Sequence, residues 1–527
     1  MRNQSKTLEE KFLCIQDYFR DGTAETERND ILQKVFVETE VFSNILNIGR
    51  GCPQILVGKK GTGKSAILNY LAENFEREKV SCLLLTPRKI DIDWGDDNST
   101  GQLTRRAMRS LTMSIAAQLG RTFSEKFLNG NDTILNEIAK KYTDKEQDSV
   151  EVLCEKLNAV SKEIANIDFG SLFKHNDVNE IATPKIITSI KNNLRNANKV
   201  FYLFIDNTDQ LASPNLEEGL NRIWATLLAF RELMNEIPFL KVIVSLRTTV
   251  WYRLGNDESG QRDQWDHFRP HVTEIKVSDE EIEKMVEKRL KLAAKSYDRS
   301  EDYLKYFFNN QRGVAVNEKT FRYWANYVAH RSRNRPRDAM QMVGRWGKYC
   351  ITKESDFITS EIVNQCMITH SEFCVDDLVK EYKEECPKLE TVIKNFSKLK
   401  YDAGKYAYSA DSLREQLPRI LNGIMLNGKA LSPQIADAIK LWKFLYEIGF
   451  LSARYETDQR KDNYEHITFQ QAPSLLGTSD WNTFQKYAWE VYPSYIDFLE
   501  KEYNEDIARL GIGIKPIRYA SKRRGKN

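Results

Sequence analysis

The stretch ILVGKKGTGKSAILNYL, from Ile55 to Leu71, is an apolar run, then three glycines among lysines, then apolar residues at helical spacing. A buried strand, a glycine loop and a helix start, in that order, suit a phosphate. Gly58-Lys59-Lys60-Gly61-Thr62-Gly63-Lys64-Ser65 fits the pattern G-x-x-x-x-G-K-[ST], and the loop runs on into Ala66. Gly58, Gly61 and Gly63 allow tight curvature. The loop amides then point inward, helped by the positive end of the following helix. Lys64 reaches the β- and γ-phosphates, and Ser65 offers its hydroxyl to Mg²⁺. Ile67, Leu68 and Leu71 give that helix an apolar face.

Outward from this loop, short apolar runs, several of them continuously apolar, alternate with helical segments. The runs are QILVGK (54–59), SCLLLTP (81–87), KVFYLFID (199–206), LKVIVSLR (240–247) and HVTEIKV (271–277). Such strands are buried on both faces, as in a parallel sheet covered by helices. More than a hundred residues separate the second run from the third. Leu153, Leu157, Val160, Ile164 and Ile167 repeat there at heptad-like spacing, over too short a length for a coiled coil, and a packed helical insertion is expected. Residues 278–352 read as helices. Further on, SARYE and EHITF flank the polar TDQRKDN, a hairpin signal.

A second metal contact is expected from an acidic residue that ends a buried strand, and Asp206 fills that place. The alternative is a strand-end carboxylate capping the next helix. Asn207 follows it. Asn can orient a water but cannot take its proton, and Asp209 is the other candidate for that task. Arg247 ends the 240–247 strand, where a γ-phosphate sensor would stand. Arg335 and Arg337 open a helix in NRPRDAM, where a guanidinium can close a helical lid on a nucleotide. Arg269, just before the last strand, could reach a neighbour's nucleotide as an arginine finger in an oligomer.

Composition bounds the rest. The chain has 527 residues, 41% apolar and 29% charged, with net charge +3. This near balance neither demands nor excludes a nucleic-acid partner. Local clusters are the candidates for one: Arg105, Arg106 and Arg109 in LTRRAMRS, Arg460 and Lys461 at the hairpin tip, and the basic end with Arg518, Lys522, Arg523, Arg524 and Lys526. No apolar run is long enough to span a membrane, and MRNQSKTLEEKF has no apolar leader. The eight cysteines form no C-x-x-C, so a cytoplasmic protein with free thiols is expected. Cys366, His370 and Cys374 share one helical face, a spacing better suited to core packing than to zinc.

Gly58–Ser65, LFIDNTD, IVSLR and RPRDAM, followed by a winged-helix-like tail, resemble a bacterial P-loop ATPase of the AAA+/STAND superclass. Within it, the chain looks like ATPases of phage-defence and other conflict gene clusters, which share A-E-x-E upstream (Ala24 to Glu27) and a GxKGxGKSA loop (Gly58 to Ala66). The resemblance implies an α/β fold with an ASCE-type parallel sheet, the strand ending in Asp206 lying beside the phosphate-loop strand, and a helical lid carrying Arg337. It implies ATP and Mg²⁺, and a nucleotide state that controls self-assembly or a separate effector protein in antiviral defence. The expected domains are an N-terminal helical segment (1–50), the ATPase core (51–280, with a helical insertion at about 90–198), the lid (281–370), a winged-helix-like domain (371–480), and a C-terminal helix with a basic tail (481–527). Two alternatives stand beside the switch: an origin-recognition-like ATPase on double-stranded DNA, and a scaffold that binds nucleotide without turnover.

Overall fold

The computed structural model describes residues 7–20, 29–49, 51–86, 92, 94, 99–124, 135, 179–210, 217–256, 262–317, 320–456, 464–469, 471–472, 475 and 481–509. The heptad-like residues 153–167, the hairpin tip and the basic end lie outside them. The chain divides into two compact units. One comprises residues 20–288 together with Arg335–Arg337. The other comprises residues 1–19, 289–334 and 338–527.

The first unit is built on five parallel strands: β1 (Gln54–Gly58), β2 (Cys82–Leu85), β3 (Phe201–Ile205), β4 (Leu240–Arg247) and β5 (Val272–Glu274). Each falls within one of the five apolar runs. Ile55, Leu56, Leu203, Phe204, Val242, Ile243 and Val244 are buried, as expected of strands covered on both faces. The spatial order is β2-β3-β4-β1-β5. This corrects one expectation: β3, which leads into Asp206, does not lie beside the phosphate-loop strand. β4 is inserted between them, pairing Gly58 with Arg247 on one side and Ile205 with Val244 on the other. Apolar patterning reveals strands but not their order, which the helical crossovers set. A parallel sheet in this order, with a glycine loop between β1 and the helix Lys64–Arg77, is an α/β P-loop NTPase fold.

The second unit opens with the helix Leu8–Tyr18, capped by a reciprocal pair in which the Thr7 hydroxyl accepts from the Glu10 amide and Glu10 accepts from the Thr7 amide. Gly344 is needed opposite it, because a Cβ there would stand 2.2 Å from the Phe19 carbonyl. A hairpin of β6 (Gly313–Asn317) and β7 (Thr320–Tyr323) replaces part of the expected helix, which starts only at Trp324. Thr-Phe-Arg-Tyr is β-branched and aromatic, so strand preference wins there over helical spacing. The expected second hairpin is present as β11 (Leu451–Glu456) and β12 (Tyr464–Ile467). It lies in a four-stranded sheet, β12-β11-β13-β8, with β8 (Ala407–Ser409) and β13 (Ala488–Val491). A two-residue pair, β9 (Met425–Leu426) and β10 (Lys429–Ala430), completes the strands. Tyr408, Trp442, Trp489 and Tyr495 anchor this core.

Candidate functional site

Ligands of open parallel sheets gather beyond the carboxyl ends of the strands. In the first unit that edge collects the phosphate loop, Asp206, Asn207 and Arg247. Gly61 and Gly63 have φ of 84° and 98°, the left-handed region that a side chain disfavours. Gly63 also stands at the start of the helix Lys64–Arg77 and supplies no side-chain cap, so the first helical amides keep their donors for an incoming acceptor. A Cβ on Gly63 would meet nothing within 4 Å, so the loop is open there. On Gly58 it would stand 2.6 Å from Thr62 Oγ1, so the loop's base is tight.

Thr62 donates its hydroxyl to the Lys59 carbonyl at 2.9 Å. Lys64 is buried and donates to the carbonyls of Gly58 (2.7 Å) and Lys59 (3.0 Å), which folds its ammonium into the loop. Lys59, Lys60, Ser65 and Ala66 are half-buried around it.

Asp206 follows β3 and is buried. Its Oδ1 accepts from the Ser245 hydroxyl at 2.7 Å and from the Asn207 amide at 2.9 Å. Asn207 is left-handed, with φ 53°, and this bend returns its own Nδ2 to Asp206 Oδ2 at 3.3 Å. Its amide also donates to Ser245 Oγ at 2.8 Å. Ser245 escaped the sequence reading. The signal was a lone hydroxyl inside the buried run VIVSL, where burial demands a partner. The Asp209 side chain lies outside the described residues. Arg247 ends β4 level with Gly58 and is half-buried. Arg269 is exposed, with its guanidinium 5.5 Å from the Trp265 ring centre.

Arg335–Arg337 belongs to this same unit. The Arg337 amide donates to the Gly61 carbonyl at 3.3 Å, and a Cβ on Gly61 would stand 3.3 Å from that of Arg337. Beside these elements Thr208 Oγ1, Thr248 Oγ1 and Arg337 Nε are buried with no hydrogen-bond partner among the described residues. An orphaned guanidinium nitrogen next to a left-handed glycine loop suits a polyanionic ligand, because burying such a donor unmatched is costly. The residues present therefore fit a nucleotide's phosphates.

The remaining candidates sit elsewhere. Arg105 is exposed on the helix Thr100–Ser124, while Arg106 and Arg109 are half-buried and Arg106 donates to the Trp94 carbonyl. In the second unit Cys366, His370 and Cys374 are buried on one face of the helix Ser360–Glu381. His370 Nδ1 lies 2.6 Å from an Arg345 guanidinium nitrogen, a cation where a metal ion would need none. Burial, and then Arg345, push the His370 ring down to about 3. Burial likewise raises the thiols of Cys52, Cys82 and Cys366 to about 11, which leaves them unreactive. Among the described residues no cluster of three or more His, Cys, Asp or Glu is placed to hold a metal ion, and no helix is long and apolar enough to cross a membrane.

No protein-family model matches the chain. The putative transposon gamma-delta 80.3 kDa protein of Escherichia coli (strain K12) is 22% identical to it over 460 residues, covering 83% of this chain and 61% of that protein. The chain thus spans about three fifths of the length of the curated relative it matches. Among solved structures, the ORC2 protein of Aeropyrum pernix is similar at TM-score 0.38 and 9% identity, over 89% of this chain and 93% of that one. The RuvB Holliday junction branch migration motor of Thermotoga maritima is similar at TM-score 0.29 and 12% identity, over 83% and 93%.

Proposed function

We propose that the chain is an AAA+ ATPase that works as a slow, nucleotide-dependent switch. The observation that carries this reading is the buried, unpartnered Nε of Arg337 beside Gly61 of the phosphate loop. The loop amides from Gly61 to Ser65 would hold the phosphates, with Lys64 leaving its carbonyl partners to reach the β- and γ-phosphates. Ser65 and Asp206 would hold Mg²⁺, directly or through water. When bound, the metal offsets the phosphate charge as it shifts during transfer. Arg337 would register the γ-phosphate, with Arg247 at the end of β4 as a second sensor.

The proposal of slow turnover comes from Asn207. Its amide group turns back to Asp206 and has no basic atom to accept a proton from water. Asp209 is the remaining candidate for that role. Arg269, exposed before β5, is available to a neighbouring copy as an arginine finger. The switch would act through self-assembly or a separate effector protein, with antiviral defence as the setting that the sequence resemblance suggests. The name of the transposon relative favours a second reading, an ATPase acting on double-stranded DNA.

Steady-state ATP turnover, with and without duplex DNA and beside Lys64→Ala, tests both. Slow turnover that Lys64→Ala abolishes and DNA does not change supports the switch. Stimulation by DNA moves the account to the second reading, and turnover that survives Lys64→Ala refutes both.

A further inference from the structure

Residues 388–405 carry five lysines (Lys388, Lys394, Lys398, Lys400 and Lys405) against two acids, Glu390 and Asp402. The acids are engaged locally. Glu390 pairs with Lys394 at 3.0 Å, and Asp402 accepts from Ser409. Three of these lysines, Lys394, Lys398 and Lys405, meet the helix Ile496–Arg509 with their side chains still 42–61% exposed. Its carboxylates meet cations from outside it one after another: Asp497 with Arg331, Glu500 with Lys405, Glu502 with Lys394 at 3.7 Å, and Asp506 with Lys398 at 3.0 Å. In the opposite sense, Lys501 meets Glu372 at 2.5 Å.

The two ends of that helix are held differently. Phe498 and Leu499 are buried in the core, and the Phe498 amide donates to Ser371 Oγ at 3.0 Å. Beyond Leu499 no residue of the helix is fully buried. Residues 500–509 are half-buried or exposed, and their ion pairs to the rest of the unit are partly exposed ones, each worth about 0–1 kcal/mol and weakened by salt.

We infer that the row Lys394, Lys398 and Lys405 is a docking surface for the phosphate backbone of duplex DNA, and that the helix Ile496–Arg509 occupies it as a built-in polyanion. Charge density decides the competition. From Asp497 to Asp506 the helix rises about 14 Å at 1.5 Å per residue. Five carboxylates over that span (Asp497, Glu500, Glu502, Glu505 and Asp506), less Lys501, leave four net charges, one per about 3.5 Å. Duplex DNA presents one per about 1.7 Å. DNA therefore displaces the distal half of the helix while Phe498 and Leu499 keep its root anchored. The inference does not rest on nucleotide binding by the other unit.

The test is duplex binding by the full chain, measured by fluorescence anisotropy from about 50 to 300 mM salt. Glu500→Gln/Glu502→Gln/Asp506→Asn removes the helix's carboxylates from the row, while Lys394 keeps Glu390. Glu354→Gln/Glu361→Gln/Glu384→Gln removes the same charge elsewhere on that unit. The first variant is expected to bind at least tenfold tighter than the second. Adding Lys394→Gln/Lys398→Gln/Lys405→Gln to it should erase the gain and lower the salt slope by about 3, near 0.9 for each phosphate that the lysines no longer neutralise. An equal gain in the control, or a gain that survives removal of the lysines, overturns the inference. Hydrogen exchange on the unmodified chain guards against misfolded variants. DNA should speed exchange in 500–509, and unchanged or slowed exchange there refutes displacement.

Discussion

Ser245→Ala probes the joint between β3 and β4 on which the site depends. The hydroxyl is fully buried, donates to Asp206 Oδ1 at 2.7 Å and accepts from the Asn207 amide at 2.8 Å. A hydrogen bond to a charged group contributes about 1.5–3 kcal/mol. The Asn207 amide keeps a second acceptor, Asp206 Oδ1 at 2.9 Å, so the substitution orphans no backbone donor. Asp206 also keeps the Asn207 Nδ2 contact. The loss should therefore fall at the low end, about 1.5 kcal/mol, or roughly tenfold in any step that needs Asp206 held in place. The assay is ATP turnover across a Mg²⁺ titration, with thermal unfolding of the same sample. The expected result is a roughly tenfold fall in turnover, or in apparent Mg²⁺ affinity, in a protein that still folds. Wild-type turnover and metal dependence in Ser245→Ala would refute this role for the Asp206–Ser245 pair.

Further expectations rest on separate features. Gly63→Ala should cost only about 1–2 kcal/mol, from its left-handed backbone alone, since the new methyl meets nothing within 4 Å; thermal unfolding reads it. Gly61→Ala should cost more, because its methyl would also press on Arg337 at 3.3 Å. Asp338→Ala strands the buried Arg333 guanidinium, now 2.6 Å from that carboxylate, and should destabilise its unit by about 3–5 kcal/mol, with Arg333→Met/Asp338→Ala recovering most of the loss in denaturant titrations. His370 titrates near 3 in the fold, below its ordinary value near 6.5, so the unfolded chain binds more protons between those values. Its contribution is complete above about pH 6.5 and is lost as pH falls toward 3, by about 2 kcal/mol at pH 5. Unfolding at pH 7 and pH 5 should show that fall, and His370→Gln should reduce it.

The parts of the fold legible in the sequence were those where burial or backbone geometry restricts residue type. β1, β3 and β4 appear as apolar runs because both of their faces are covered, and the half-buried β5 is the least apolar of the five. Gly61 and Gly63 are legible because only glycine takes their φ cheaply. The insertion of β4 between β1 and β3 was not legible, since strand order is a property of the connections. The hairpin at Gly313–Tyr323 was missed because TFRYWANYV satisfies both periodicities, and the strand takes its first four residues. Ser245 was passed over as one hydroxyl in a strand, although its full burial gives it a partner to find. That Arg337 packs on Gly61, nearly three hundred residues earlier, follows from tertiary structure alone.

The central claim is that the loop Gly58–Ser65 takes a nucleotide's phosphates. Equilibrium binding of Mg²⁺–ATP to the full chain, measured by calorimetry beside Lys64→Ala, tests it most directly. The account predicts saturable binding that needs Mg²⁺ and weakens at least tenfold in Lys64→Ala, with both proteins equally folded. No saturable binding at millimolar nucleotide, or binding indifferent to Lys64, would contradict it.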